Sequence, residues 1–104
     1  MYDNLMKQFQ DKLKFAPDFK KVVKFVVNDD DNEIVVDCSQ KPPTILTGDK
    51  ASSTESDVTM IASLSVFEGI MSGAKDPTMA FMTRQLKIKG SMGIAMKLNA
   101  ILED

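Results

Sequence analysis

Histidine is absent from the 104 residues of this chain. Without it no Ser-His-Asp or Cys-His nucleophile can be assembled, and the ordinary zinc ligand sets are lost as well. Cysteine is nearly as scarce. The single Cys38 excludes an intramolecular disulfide framework and suits a reducing compartment. Long apolar runs are missing too: no segment approaches the roughly eighteen uninterrupted apolar residues of a membrane span. The opening Met1-Tyr2-Asp3-Asn4 has neither the basic start nor the apolar core of a secretory signal. A soluble, cytoplasmic protein is the expectation. Positive charge is also not in excess. Thirteen basic residues face fifteen acidic ones, a net charge of -2, so the basic footprint of a nucleic-acid binder is lacking and no nucleic-acid partner is expected. A Ser-Lys pair or a two-carboxylate site stays formally open, but no spacing singles one out. No catalytic or metal-ligating residue is therefore nominated, no cofactor is implied, and the chain reads as a non-enzyme.

At this length one domain is expected, spanning residues 1–104. Tyr2, Leu5, Met6, Phe9 and Leu13 recur at three- and four-residue intervals and predict an amphipathic helix ending near Phe15, before Pro17. From Lys20 to Asn28, Val23, Phe25 and Val27 alternate with Lys24 and predict a strand, and Ile34 to Cys38 predicts a second. Asn28 to Asn32 between them is a polar turn of hairpin length, which makes the two strands antiparallel neighbours. Thr44 to Thr47, after Pro42 and Pro43, is expected as a short edge strand. Gly48 to Ser56, small and polar, is expected to be a long loop and the best candidate for disorder. Asp57 to Ala62 then alternates as a fourth strand.

Leu64, Phe67, Ile70 and Met71 have helical spacing, with Ser63 or Ser65 as cap and Gly73 as terminator. Asp76 and Pro77 predict the start of another short helix, bearing Met79, Ala80, Phe81 and Met82. The last stretch combines an alternating strand, Gln85 to Lys89, a turn at Gly90, and a helix from Ser91 to Leu102. In that helix Ile94, Leu98, Ile101 and Leu102 form a stripe that Met92, Ala95 and Met96 widen, and Lys97 and Asn99 are expected to face away.

Three features invite chemistry and each has a plainer explanation. Asp29, Asp30, Asp31, Asn32 and Glu33 lack the glycine and distal glutamate of a calcium loop at the required offsets, so they read as a solvated hairpin tip. Cys38 ends an apolar strand with no cationic cluster beside it and reads as a small buried hydrophobe. Lys87 and Lys89 point outward, either to solvent or to anionic headgroups. Six of the eight methionines (Met60, Met71, Met79, Met82, Met92, Met96) fall between Asp57 and Lys97. Methionine fills irregular gaps and lines surfaces that accept several apolar shapes, so a pocket and a plastic core both fit.

Taken together, DVTMIA, the helix SLSVFEGIMSGAKDP, the stretch MAFMTRQLKIKG and the closing SMGIAMKL resemble the sterol carrier protein type 2 domain. The resemblance runs from Asp57 to Leu98, through an Asp-x-Thr strand start, a Gly-x-x-x-Pro neighbourhood, Leu-Lys-Ile-x-Gly, and Met-x-x-Ala-x-Lys-Leu. The first half agrees only in its helix-strand-strand outline. The resemblance implies an α+β fold, a five-stranded mixed sheet with helices packed over one face and an apolar tunnel between the layers. It further implies non-catalytic binding and transfer of a long-chain fatty acid, fatty acyl-CoA, sterol or phospholipid.

Carried onto this sequence, the lipid lining would come from Phe67, Ile70, Met71, Phe81, Met82, Leu86, Ile88, Met92, Met96 and Leu98, with Val23, Phe25 and Val27 as floor. The partners expected are a long-chain lipid and, transiently, a membrane surface; a protein partner remains open. An alternative role is that of an accessory domain that presents a lipid-like substrate to an enzyme or joins a complex through its apolar groove. The chain departs from peroxisomal members in ending Leu102-Glu103-Asp104 rather than in a targeting tripeptide, which again points to the cytoplasm. Those two terminal acids oppose the helix dipole, so the last turn is expected to fray and act as a lid.

Overall fold

Leu5, Phe9 and Leu13, four residues apart, are all buried along one side of helix α1 (Asp3–Lys14). An apolar stripe of that spacing must be buried against another apolar surface, and the five-stranded sheet beneath supplies it. The computed structural model describes residues 3–14, 19–29, 31–40 and 43–103. Tyr2, Phe15, Pro17, Asp30, Pro42 and Asp104 lie outside the described residues.

Strands β1 (Val22–Val27), β2 (Asn32–Asp37) and β3 (Thr44–Thr47) form an antiparallel meander. The chain then crosses to the other side of β1, where β4 (Val58–Ala62) runs parallel to it and β5 (Leu86–Gly90) returns antiparallel to β4. The order is β3-β2-β1-β4-β5, the mixed five-stranded sheet expected. Because residues opposite one another in register share a face, Val23, Phe25 and Val27 align with Val58, Met60 and Ala62, and these with Ile88 and Leu86. Helices α1, α3 (Leu64–Ser72), α4 (Pro77–Met82) and α5 (Met92–Glu103) cover that face.

Local chemistry stops and starts these helices where it should. Ser63 accepts from the Val66 amide and Gly73, at φ 84°, ends α3 in the left-handed region, which glycine enters without a Cβ penalty. Asp76 caps α4 through the Thr78 amide, with Pro77 in the first turn. Asp29, in the acidic hairpin turn, accepts from the Leu64 amide at 3.1 Å, so one of those carboxylates ties the β1–β2 turn to the start of α3.

Gly48–Ser53, expected to be loop, is instead a short helix, α2. It packs on β2 and β3, and Ala51 is wholly buried there, as is Val35, which points away from the Ile34 and Val36 face. Small polar composition hid this, because a single alanine anchors the turn and hydrogen bonds do the rest: Thr54 Oγ1 donates to the Lys50 carbonyl at 2.6 Å, and Ser52 donates to the Glu33 carboxylate.

Helix α5 also turns differently from the sequence expectation. Its buried face is Ala95, Leu98, Asn99 and Leu102; Ile94 and Ile101 are half-buried at one flank, and Met92 and Met96 are exposed at the other. Asn99 therefore faces inward rather than away. The intervals 95, 99 and 102 are as regular a helical stripe as 94, 98 and 101, and the polarity of Asn99 argued for the wrong one.

Candidate functional site: an apolar layer and its edges

Three phenyl rings occupy the middle of the space between helices and sheet. Phe9 of α1 stacks on Phe25 of β1 with centroids 3.9 Å apart and planes 7° from parallel. Phe67 of α3 stands edge-on to both, at 5.7 Å and 5.8 Å, an arrangement in which positive ring edges meet negative faces. Around them one continuous core includes Val23, Val27, Ile70, Met71, Leu86 and Leu98, all buried, with Phe81 and Ile88 half-buried against it. Ten of the thirteen residues expected to line a lipid site thus meet in this layer. The other three, Met82, Met92 and Met96, are 69%, 44% and 50% exposed. The turn of α5 places Met92 and Met96 beside the buried stripe, and Met82 is the last residue of α4.

Phe9 was not among the expected site residues, although its place on the apolar stripe of α1 was readable. The connection to Phe25 and Phe67 was not, since it joins three elements far apart in the chain. Nor did the sequence single out the open cleft of about 370 Å³ lined by Phe19, Lys21, Ser91, Gly93, Ile94 and Lys97. It lies at the flank of α5 carrying Ile94, and none of the thirteen residues lines it. Two lysines and the start of a helix give that cleft a cationic rim.

Polar chemistry is thin. Lys24 and Glu33 pair at 3.5 Å across β1 and β2 on the face away from the large helices. The Glu33 carboxyl is held below its usual range chiefly by the Ser52 hydroxyl, with desolvation opposing and the Lys24 ammonium assisting. Cys38 is buried, and burial together with the adjacent Asp37 pushes its thiol up to about 11. Among the described residues no group of three or more acidic, cysteine or histidine side chains could hold a metal, and no helix is long and apolar enough to cross a membrane.

The described residues thus build a mixed sheet covered on one face by apolar helices, with no charged side chain among them buried in the layer between. The chain belongs to the SCP-2 sterol transfer family, a class of lipid-binding and lipid-transfer domains whose sequence profile matches residues 3–103. Among solved structures, the apo form of sterol carrier protein 2 from Yarrowia lipolytica superposes with a TM-score of 0.66 at 23% identity, over 93% of this chain and 75% of that one. Palmitated SCP2L2 from Aedes aegypti gives 0.66 at 15% identity, over 94% of each. At such identities the likeness concerns the fold. In sequence, the hydroxysteroid dehydrogenase-like protein 2 of Xenopus tropicalis is 50% identical over 50 residues, 48% of this chain but only 12% of that protein.

Proposed function

We propose that this domain holds one long-chain lipid, a fatty acid, fatty acyl-CoA, sterol or phospholipid, between its helices and sheet and passes it on without chemical change. The observation that carries this is the family match across residues 3–103; the apolar layer, in which no charged side chain among the described residues is buried, supports it. The cargo would displace the contacts of Phe25, Phe67, Ile70 and Met71 with the helices above them, with Val23 and Val27 as floor and Phe81, Leu86, Ile88 and Leu98 along its length. Met82, Met92 and Met96 would form the rim, where a flexible thioether chain suits passage of varied shapes. The palmitated Aedes aegypti relative is the precedent for an acyl chain in this fold.

Magnitudes favour a releasable cargo. About fifteen buried methylenes at roughly 0.8 kcal/mol each supply on the order of 12 kcal/mol. Association and ordering cost about 4 to 15 kcal/mol, and separating the stacked Phe9 and Phe25 rings adds roughly 0.5–1.5 kcal/mol. At the low end of these costs about 7.5 kcal/mol remains, a micromolar affinity at best, and chain-length selectivity is weak because each methylene changes binding by only about 0.8 kcal/mol. Mass spectrometry of lipid extracted from gently purified protein is expected to find long-chain species in stoichiometric amount. Protein that emerges lipid-free and takes up neither a fluorescent fatty acid nor a fluorescent sterol would end this reading.

A second role rests on a separate observation. The matched segment occupies only 12% of a relative named as dehydrogenase-like, so a domain of this kind can reside in a much larger chain, and presentation of a lipid-like substrate to an enzyme becomes a natural use for it. A stable enzyme complex in pull-down, with no lipid exchange between vesicles, would favour the accessory role.

A further inference from the structure

Asn99 is the one polar side chain buried among the described residues, 1% exposed on the inner face of α5 between Ala95 and Leu102. Both its Oδ1 and its Nδ2 are without a hydrogen-bond partner, so the orientation of the amide does not alter the result. Buried amides are almost always paired, and one left open calls for an occupant. Asparagine is also a poor helix former compared with leucine, which would complete the stripe of Leu98 and Leu102 at no polar cost.

The position suggests how an occupant arrives. Asn99 follows Met96 by three residues and Met92 by seven, so the three lie along one strip of α5. Met92 and Met96 are half-exposed, and their unbranched chains can swing aside. The strip thus leads from the surface to an amide at the edge of the apolar layer.

We infer that Asn99 is the specificity-determining residue of the lipid site, recognising a neutral long-chain lipid by a single hydroxyl group; this rests on the lipid-carrier reading. An amide offers one acceptor and two donors. A hydroxyl satisfies both kinds at once, donating to Oδ1 and accepting from Nδ2. An ether accepts only and leaves Oδ1 bare. An ionised carboxylate would bring a charge beside Oδ1 into a layer where no cation among the described residues is buried, which costs far more than one neutral hydrogen bond returns.

Titration calorimetry with 1-hexadecanol and with its methyl ether, each delivered from cyclodextrin, separates these cases, because the two ligands share a chain and differ in one donor. Wild-type protein is expected to bind the alcohol roughly tenfold more tightly than the ether. Asn99→Leu is expected to abolish that preference while still binding the ether, and Asn99→Ala serves the same purpose if leucine overfills the site. Equal affinities in the wild type would overturn the inference and leave Asn99 to a buried water. A preference that survives both substitutions would assign the hydroxyl to another group and likewise overturn it. If the wild type binds neither ligand, nor a fluorescent fatty acid, the carrier reading itself has failed, whereas ether binding without discrimination removes only the role of Asn99.

Discussion

Cys38 shows how one side chain converts environment into reactivity. It follows β2 directly, buried, with its sulfur 4.0 Å from the Val36 carbonyl. Desolvation, and secondarily the charge of Asp37, raise its pKa to about 11 from an ordinary 9.0. The thiolate is the reactive species, so alkylation by iodoacetamide at pH 7.5 is expected to be slow in the folded protein and to accelerate on adding denaturant. The sign of the stability effect follows from linkage: the folded state keeps the proton longer, so this contribution is complete below about pH 9 and is lost as the pH climbs toward 11. The measurement is the difference between wild type and Cys38→Ala in denaturant midpoint across that window, which isolates the thiol's own contribution. A midpoint difference that does not change with pH would contradict the assignment. Asn99 was read outward because it is polar, and only packing reveals that Ala95, Leu98 and Leu102 take it inward.

Among elements, β1, β4, β5 and α5 meet at one tightly tied junction. The Asp57 carboxylate accepts from the Val22 amide at 2.8 Å while the Asp57 amide donates to the Val22 carbonyl at 2.8 Å. Gly90, at φ 106°, brings the end of β5 so near that a Cβ there would stand 2.7 Å from the Asp57 carbonyl oxygen. Ser91 then caps α5 through the Ile94 amide. Gly90→Ala meets both backbone strain and a main-chain clash, and is expected to cost about 2–4 kcal/mol in urea unfolding. Asp57→Ala, losing a charge-assisted bond at a solvent-exposed site, is expected to cost about 1 kcal/mol. Both residues belong to the Asp-x-Thr and Leu-Lys-Ile-x-Gly segments, whose order was legible; that they touch was not, because 33 positions separate them. Strands β1, β2, β4 and β5 and helices α1, α3 and α4 were legible from alternation, helical spacing and their caps. Helix α2 was not, since its six residues offer one apolar contact and no periodicity. If the end of α5 moves as a lid, its last-turn amides should exchange faster than those of β1 and β4, and bound lipid should slow them; equal protection with and without lipid would show Leu102, 2% exposed, to be a fixed anchor.

For the whole molecule, the proposed carrier function implies a trade between a closed core and an open one. The stacked Phe9 and Phe25 rings and the edge-on Phe67 stabilise the closed layer, and under the proposed function a lipid between helices and sheet would separate those contacts. A ligand at a hundred times its dissociation constant should still add about 2.7 kcal/mol of stability, which in a domain of this size raises the melting temperature by roughly 10 °C or more. Scanning calorimetry of delipidated and reloaded protein measures it, and an unchanged melting point at saturating lipid would exclude binding to the native state. Phe67→Ala is expected to lower stability by about 3–5 kcal/mol and, in whatever fraction remains folded, to ease uptake. Most of this architecture could be anticipated from the order of motifs between Asp57 and Leu98; how tightly the layer closes could not, because three rings from α1, β1 and α3 decide it.

The sheet is completed by its least local pairing. The meander β1–β2–β3 joins neighbours in the chain, but Val23 meets Val58 only after an excursion through β3 and α2. Closing so long a segment is entropically slow, and non-local pairing dominates folding times. A nascent chain therefore carries β1 with one edge bare until β4 has emerged, and in that interval its alternating valines are open to wrong pairing.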